Sequence, residues 1–347
     1  MVFRLKSLVR FIHSRISVTT RKVSTTCGEQ GKVIPPISAR FTVEQALSQW
    51  AERFQVAEVP EPQLSSQYII SHVLGHKTLN HLERRGLTQV LSHAHVERIW
   101  RLCNKRLTRM PVQYVIEEWD FRDITLKMKP PVFIPRPETE ELVSLVLADL
   151  EVLAASRDMD TVRFLEVGCG SGAISLSLLH SLKQIRGVAL DQSAQAVALT
   201  RENAQSLGLL DRLKVSQVDV FKDADWLVET CSPVEVLVSN PPYLFTEDLD
   251  SLEPEVRRFE DRAALDGGKQ GHCVIDQILA LAPRLLTEKG RVYLEVDPRH
   301  PDIIQTRLKE RVLGLEYVKT HYDFTNSPPC QELPFGDYTH RPGSAPG

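Results

Sequence analysis

The chain has 347 residues, of which 42% are hydrophobic. This length and composition can bury a large core, and we expect two domains preceded by a leader segment. The net charge of −3 excludes a global basic field that would recruit nucleic acid, and no apolar run approaches the length of a membrane span.

Residues 1–32 differ from the rest of the chain because they are rich in Lys, Arg, Ser and Thr and contain a single acid, Glu29. An apolar residue recurs every three or four positions, at Val2, Leu5, Val9, Ile12 and Ile16. One apolar stripe on a basic helix is typical of a mitochondrial transit peptide and predicts delivery to the matrix. A solvated basic tail is the alternative.

Residues 40–108 carry a helical pattern. Apolar faces recur at Val43, Ala46, Leu47 and Trp50, and again at Tyr68, Ile69, Val73 and Leu74. With Thr42 as the N-cap of the first helix and Gly75 ending the second, the pattern predicts a small helical bundle. The histidines of this region and the six cysteines of the chain lack metal-ligand spacing, so we expect reduced thiols and no metal site.

Residues 109–137 alternate short apolar runs with breaks at Pro111, Pro130 and Pro131. Proline is excluded from central strands and favours turns and edge strands. The pattern therefore predicts a hairpin linker between the two domains.

Residues 138–324 alternate strand and helix patterns, as a parallel sheet requires. The predicted strands are 163–167, 185–190, 213–218, 234–239 and 291–296. The predicted helices are 139–153, 173–183, 193–207, 273–287 and 301–312. We predict an α/β fold with a Rossmann-like, mainly parallel sheet whose ligands lie at the carboxyl ends of the strands.

A glycine-rich turn follows the strand at 163–167 and opens a helix. Glycines permit a tight turn and the close approach of a ligand, while Asp191 ends the next strand where it can accept hydrogen bonds from two ribose hydroxyls. This pattern fits S-adenosylmethionine and equally NAD, and a purely structural loop is a third alternative. The predicted cofactor contacts are Glu166, Gly168, Cys169, Gly170, Ser171, Gly172 and Asp191.

Asp219 follows the strand at 213–218 and is predicted to accept a hydrogen bond from an adenine amino group. Val220 would then offer apolar contact to the adenine ring. The alternative for Asp219 is a helix cap.

The apolar strand at 234–239 gives way to Asn240, Pro241, Pro242 and Tyr243. The two prolines fix φ at about −65° and remove two backbone donors, so the Asn240 side chain and the neighbouring carbonyls keep their acceptors for an NH2 group. Tyr243 adds a flat face for a planar group. We predict substrate binding by all four residues, catalysis by Asn240, Pro241 and Tyr243, and cofactor binding by Asn240. An ordinary proline-rich turn is the alternative.

In this order, the glycine loop, the acidic strand end and Asn-Pro-Pro-Tyr resemble the class I methyltransferases that methylate a planar nitrogen. The segment at 133–143 is similar to the signature of the HemK/PrmC family of release-factor glutamine methyltransferases. Further matches lie at 109–114, 259–261 and 264–268, and the resemblance covers about residues 40–324.

The resemblance implies S-adenosylmethionine as the cofactor, residues 40–108 as a substrate-recognition domain, and the glutamine of a Gly-Gly-Gln loop in a mitochondrial class I peptide-chain release factor as the substrate. The residues alone leave glutamine, asparagine and adenine N6 open. The acidic balance and the lack of a basic-aromatic stripe favour a protein substrate, and we expect a monomer that requires neither nucleic acid nor a membrane. The alternatives are an adenine-N6 methyltransferase acting on DNA or RNA and a noncatalytic methyltransferase-like assembly factor.

The chain departs from the family pattern at two places. The family's Tyr-Ile-x-Gly stretch appears as Tyr114-Val115-Ile116-Glu117, so we expect Glu117 to make a glycine-type turn or the turn to shift. Residues 325–347 form a polar, proline-rich tail where the family continues with its closing strand. We predict that this tail is disordered and that the closing strand is missing.

Overall fold

The computed structural model describes residues 41–77, 84–155, 162–311, 314–321 and 330–334. They fall into two compact units, of which one ends at Ile116 and the other starts at Glu117. This division lies inside the predicted linker at 109–137. The predicted leader at 1–32 lies outside the described residues.

The first unit is helical, as its sequence pattern predicts. Its helices are α1 (Val43–Val56), α2 (Pro62–Val73), α3 (Arg84–Leu87), α4 (His93–Leu107) and α5 (Val112–Ile116). Thr42 caps α1 as predicted, because its hydroxyl accepts from the Gln45 amide at 3.2 Å and the Gln45 side chain accepts from the Thr42 amide at 3.0 Å. Trp50 and Trp100 form the centre of the core, packed edge to face with ring centroids 5.1 Å apart.

The second unit begins with an antiparallel hairpin, β1 (Glu118–Phe121) and β2 (Ile124–Lys127). Glu117 precedes it with φ at +63°, in the left-handed region that glycine adopts without strain. Its carbonyl accepts a hydrogen bond from the Met128 amide at 3.0 Å, which closes the base of the hairpin. The expectation that Glu117 makes the glycine-type turn is confirmed.

Within the described residues, seven strands form one sheet in the order β5–β4–β3–β6–β7–β9–β8. These strands are β3 (Val162–Val167), β4 (Ile185–Asp191), β5 (Leu213–Gln217), β6 (Val234–Ser239), β7 (Leu286–Glu295), β8 (Lys319–His321) and β9 (Cys330–Pro334). The strands from β5 to β7 pair in parallel, whereas β9 is antiparallel to β7 and β8. Every residue of β6 is buried, which explains why its sequence is nearly continuous in apolar residues.

The helices of this unit are α6 (Pro137–Ala155), α7 (Ala173–Ser181), α8 (Ala194–Ser206), α9 (Ala224–Cys231), α10 (Pro254–Phe259), α11 (Cys273–Leu285) and α12 (His300–Arg311). All five predicted helices are present, with ends shifted by a few residues, and α9 and α10 were not predicted. No helix in the described ranges is long and apolar enough to cross a membrane. The same ranges hold no group of three or more His, Cys, Asp and Glu residues placed to bind a metal ion.

The prediction that the closing strand is missing is wrong. Residues of β9, inside the predicted tail at 325–347, pair with β7 on one side and with β8 on the other. Strand pairing uses backbone N–H and C=O groups, so a polar segment can fill the position between two strands that both offer such groups. Pro334 is the last residue of β9, where a missing donor interrupts the ladder least. The rest of the tail lies outside the described residues.

The strands β3 and β6 are neighbours at the centre of the sheet, and the chain proceeds from them in opposite directions. The strands β4 and β5 follow on one side, and β7 follows on the other. Such a switch point opens a crevice at the carboxyl ends of the strands, where Rossmann-like proteins bind their ligands. The glycine loop, Asp191 and Asn240 all follow strands that end at this crevice.

Candidate active site

The glycine loop after β3 combines a packed side with an open side. A Cβ at Gly172 would lie 2.9 Å from Leu176 Cδ1 and 3.0 Å from Thr200 Cγ2, so glycine is needed there for packing. A Cβ at Gly170 would meet no atom within 4 Å. The loop around Gly170 therefore faces open space, as the approach of a cofactor to the main chain requires.

Hydrogen bonds to α8 and to β4 hold this loop in place. The Thr200 hydroxyl donates to the Gly170 carbonyl at 2.9 Å, and Asn203 Nδ2 donates to the carbonyl of buried Ser171 at 2.9 Å. The Gly168 amide donates to the Leu190 carbonyl at 2.8 Å. These contacts preorganise the main chain of the loop without using its open side.

Asp191 links the loops that follow β3 and β4. Its Oδ2 accepts from the Gly170 amide at 3.0 Å, and its Oδ1 accepts from the Ser193 amide at 2.9 Å. Burial raises the pKa of the Asp191 carboxyl, and these two bonds oppose the rise. A carboxylate offers about four acceptor positions, so Asp191 retains capacity for ribose hydroxyls.

A cavity of about 640 Å³ lies between the loops after β4 and β5. Its wall includes Gln192, Ser193, Gln217, Val218, Asp219 and Asp261. The volume is in the range of small-ligand sites, and both faces of the cavity carry polar groups.

Asp219 lines this cavity but is also bonded within its own loop. Its Oδ1 accepts from the Phe221 amide at 3.0 Å, and its Oδ2 pairs with Lys222 Nζ at 2.8 Å. The hydrogen bond from Lys222 lowers the pKa of Asp219. Val220, in contrast, is buried in the hydrophobic core and is not part of the cavity wall.

Glu166 and Cys169 are buried groups near the start of the glycine loop. The Ser175 amide and hydroxyl both donate to Glu166 Oε2, the amide at 3.0 Å, and burial raises the pKa of Glu166 to about 8. The Cys169 sulfur lies 3.4 Å from the Thr200 hydroxyl, whose hydrogen is donated to the Gly170 carbonyl, and burial raises the pKa of the thiol well above its ordinary value. A thiol in this state is a poor nucleophile, consistent with a small space-filling role.

Asn240 stands half-buried directly after β6, and its side chain is oriented by a neighbour. Asn240 Nδ2 donates to Thr139 Oγ1 at 3.2 Å. No described residue donates a hydrogen bond to Asn240 Oδ1 or to the carbonyl of buried Pro241. The acceptors of two consecutive residues after β6 therefore have no donor among the described residues.

Two further residues of this cluster were not predicted. Thr139 Oγ1 donates to Glu295 Oε2 at 2.8 Å, and the Tyr243 hydroxyl donates to Glu295 Oε1 at 3.1 Å. Thr139 and Glu295 are both buried, in the first turn of α6 and at the last position of β7. An acid at the carboxyl end of the strand beside β6 was a signal for Glu295 that could have been used.

The loop at 264–271 packs against the main chain of the Asn-Pro-Pro-Tyr motif. A Cβ at Gly267 would lie 2.7 Å from the Pro242 carbonyl oxygen, and one at Gly271 would lie 2.5 Å from the Tyr243 carbonyl oxygen. The Leu244 amide donates to the Leu265 carbonyl at 3.0 Å. Because glycine has no Cβ, the loop can approach the main chain of the motif this closely and support it.

Glu260 binds the segment at 133–136 through both of its carboxylate oxygens. The Ile134 amide donates to Glu260 Oε2 at 3.2 Å, and Arg136 forms an ion pair with Glu260 Oε1 at 2.6 Å. Arg136 also stacks over the Phe133 ring at 4.6 Å. Two of the sequence motifs, at 133–143 and 259–261, therefore bind each other.

Fold and site together define a class I S-adenosylmethionine-dependent methyltransferase. Its features are the parallel sheet with a central switch point, the open glycine loop, an acidic residue that ends the next strand and Asn-Pro-Pro-Tyr after the strand beside the loop. The open space at Gly170 and the adjacent polar cavity fit this cofactor.

Comparisons with known proteins identify the family. The family model described as the PrmC N-terminal domain matches residues 45–116, and the methyltransferase small domain matches residues 144–258. The MTRF1L release factor glutamine methyltransferase of Homo sapiens is 46% identical over 296 residues, which cover 85% of this chain and 88% of that protein. The release factor glutamine methyltransferase of Deinococcus radiodurans is 33% identical over 264 residues, which cover 76% and 88%. The chain belongs to the family of release factor glutamine methyltransferases, and the NAD alternative for its glycine loop is set aside.

Proposed function

We propose that this chain transfers a methyl group from S-adenosylmethionine to the N5 amide nitrogen of the glutamine in a Gly-Gly-Gln loop of a mitochondrial peptide-chain release factor. The observation that carries the proposal is the pair of acceptors formed by Asn240 Oδ1 and the Pro241 carbonyl, to which no described residue donates. A primary amide presents two hydrogens on one nitrogen, and two adjacent fixed acceptors match that pattern. The names of the relatives support a release factor as the substrate.

Positioning is the main catalytic contribution in this proposal. An amide nitrogen is a weak nucleophile because its lone pair is delocalised into the carbonyl. When Asn240 Oδ1 and the Pro241 carbonyl each accept one amide hydrogen, electron density on the nitrogen increases and its free lobe is aimed in a fixed direction. S-adenosylmethionine, when bound, supplies the electrophilic methyl group on its sulfonium. With the cofactor bound, the amide nitrogen held by Asn240 and Pro241 would take up this methyl group as the sulfonium releases it, and one amide proton would then pass to water.

Tyr243 contributes a flat contact surface for the substrate amide and does not act as an acid or a base. Burial and the neighbouring Glu295 carboxylate raise the pKa of its hydroxyl well above the ordinary value. The hydroxyl is bound to Glu295, so the ring is fixed where the planar amide would lie. Pro242 keeps the backbone between Pro241 and Tyr243 in one conformation.

The cofactor would be held by the groups at the open side of the glycine loop. The main chain at Gly168 and Gly170 would face its amino acid part, and Asp191 would accept hydrogen bonds from its ribose. The cavity beside Asp219 would take the adenine. Glu166, Cys169, Ser171 and Gly172 would support the loop from its packed side, and Val220 would support the cavity from the core.

The remaining parts of the chain are assigned roles outside the chemistry. Residues 1–32 would direct the protein to the mitochondrial matrix and then be dispensable for folding. The helical unit at 41–116 would recognise the release factor. The protein would act as a monomer, and nucleic acid would not be needed.

Tandem mass spectrometry of a release factor tests this proposal. The full chain, S-adenosylmethionine and a mitochondrial release factor should yield one methyl group on the side chain of the Gly-Gly-Gln glutamine. A release factor with asparagine in place of that glutamine serves as the matched control and should stay unmodified. An adenine N6 amine presents the same two hydrogens, so label that enters only DNA or RNA in the same reaction would replace the proposal with the adenine alternative.

A further inference from the structure

We propose that Thr139 and Glu295 are positioning residues that fix which end of the Asn240 carboxamide faces the substrate. The inference rests on the proposed function, because it assigns the oxygen of Asn240 to the substrate side. A chain of hydrogen bonds supports it, which runs from Asn240 through Thr139 to Glu295 and returns to the motif at Tyr243.

The two ends of a carboxamide have the same shape and opposite hydrogen-bonding properties. Its oxygen accepts two hydrogen bonds, and its NH2 donates two. If the Asn240 amide turned over, it would present donors to a substrate amide that itself offers donors. A glutamine methyltransferase of this design therefore needs a device that selects one orientation.

Thr139 supplies that selection because a hydroxyl has a single hydrogen. That hydrogen is donated to Glu295 Oε2 at 2.8 Å. Toward Asn240 the Thr139 oxygen can then act only as an acceptor, and Nδ2 lies 3.2 Å from it. The Asn240 oxygen is left on the opposite side, where it can accept a hydrogen from the substrate.

Burial raises the pKa of Glu295, and the hydrogen bonds from Thr139 and Tyr243 oppose the rise. In its ionised form the Glu295 carboxylate accepts hydrogen bonds and donates none, which fixes the direction of the bond from Thr139. Its two oxygens hold Thr139 and Tyr243, so one buried side chain supports both ends of the Asn240–Tyr243 motif. Thr139 lies on α6, Glu295 ends β7 and the Asn240–Tyr243 motif follows β6, which is adjacent to β7 in the sheet. The orientation of Asn240 is therefore set by the packing of the fold and not by the turn alone.

Thr139→Val keeps the shape of the side chain and removes its acceptor. The Asn240 NH2 then has no fixed partner, and the single-turnover rate of methyl transfer should fall at least about tenfold. Thr139→Ser retains the hydroxyl and should restore the rate to within about threefold of the parent. Ser177→Ala removes a buried hydroxyl that has no hydrogen-bond partner and should behave as the parent. Cofactor affinity should be unchanged in all three variants.

Glu295→Gln provides a second test that does not depend on the folding of Thr139→Val. Glutamine matches glutamate in shape, but its NH2 must donate to Thr139 or to Tyr243. The hydroxyl that faces this NH2 must then accept a hydrogen bond from position 295 instead of donating one. Methyl transfer should again slow at least about tenfold with cofactor affinity intact.

The decisive measurement is a double-mutant cycle with Asn240→Ala. If Thr139 acts through Asn240, Thr139→Val should cost nothing further in the Asn240→Ala background. If Thr139 only stabilises the fold, the two rate losses should multiply. Multiplying losses, or parent-like rates for both Thr139→Val and Glu295→Gln, would overturn the inference. Absence of a methyl group on the release factor with the parent chain would instead contradict the proposed function, so the two failures are distinguishable.

Discussion

Glu166 is a carboxyl group held where ionisation is costly. Burial raises its pKa from an ordinary value near 4.5 to about 8. The two donors of Ser175 oppose this rise and do not cancel it. Glu166 therefore keeps its proton at neutral pH.

Glu166→Gln should change how stability depends on pH. The folded chain keeps a proton on Glu166 that the unfolded chain has released above about pH 4.5, so the unfolding free energy of the parent falls as the pH rises toward about 8. Glutamine has the same shape and no such proton. Between about pH 5.5 and about pH 7.5, the unfolding free energy of Glu166→Gln should therefore rise relative to that of the parent by about 1.4 kcal/mol per pH unit. Urea unfolding at both pH values measures this, and a constant difference would show that Glu166 ionises as an ordinary glutamate.

Asp191 is predicted to hold the ribose and also to fix the loop that approaches the cofactor. Asp191→Ala removes the acceptor for Gly170 and Ser193 as well as for the ligand. Each charge-assisted bond contributes roughly 1.5–3 kcal/mol, so S-adenosylmethionine affinity should fall at least about tenfold. Calorimetry with exposed Asp211→Ala as the control measures the effect. Parent-like affinity would remove Asp191 from the cofactor site.

Residues at strand ends could be predicted from the sequence, whereas their partners could not. Asp191 and Asn240 each follow an apolar strand, and the switch-point rule brings such positions together. Thr139 and Glu295 lie 156 positions apart, and their contact depends on how α6 packs against β7. No local pattern encodes that distance, so the positioning cluster emerges only from the folded chain.

Among the elements, the parallel strands were predictable and β9 was not. The strands β3, β4 and β6 are short, mainly apolar runs between turn signals, a pattern produced by burial on both faces, and β5 at the sheet edge alternates buried Leu213 and Val215 with exposed Lys214. The strand β9 is polar and lies in a proline-rich tail, and only its backbone pairing with β7 and β8 reveals it. The position of β9 is set by pairing with backbone N–H and C=O groups of β7 and β8. The pattern of its side chains therefore does not predict it.

Glu332→Pro tests whether β9 contributes to the sheet. Glu332 pairs with Tyr293 on β7 and with Lys319 on β8, so its backbone lies inside the sheet. Proline removes the backbone donor of a residue that lies between two strands, and its ring does not fit a central strand, which should lower the unfolding free energy by at least about 2 kcal/mol. Glu332→Thr keeps the donor and is the matched control. Equal stability of the two variants in urea would show that residues 330–334 do not form the closing strand.

Glu117 shows how an element can keep its geometry while its sequence departs from the family pattern. The turn before β1 requires a positive φ, and Glu117 adopts it at +63°. A residue other than glycine in this region is strained by roughly 1–2 kcal/mol. The hairpin that follows, with its closing bond to Met128, holds the turn in place. The turn before β1 therefore keeps the positive φ that glycine would adopt, although Glu117 occupies the position.

At the scale of the whole molecule, we propose that targeting and catalysis belong to different segments. The basic amphipathic stripe at 1–32 is proposed as an address for the mitochondrion, and the described units build their cores without it. Removal of residues 1–32 should abolish import into isolated mitochondria while the purified chain keeps its unfolding temperature and its methyltransferase activity. Continued import of the truncated chain would defeat the assignment.

Methyl transfer by the whole chain in a single turnover, at saturating cofactor, tests most directly whether Asn240 positions the substrate amide. Asn240→Asp keeps an acceptor and the local turn preference, but it loses the donor to Thr139 and adds a negative charge that favours the charged ground state over a transition state in which charge disperses. The rate should fall at least about a hundredfold, or about 2.7 kcal/mol, and Asn240→Ala should be similarly slow. Cofactor affinity should stay nearly intact in both variants. A rate within about threefold of the parent for either variant would contradict the role of Asn240.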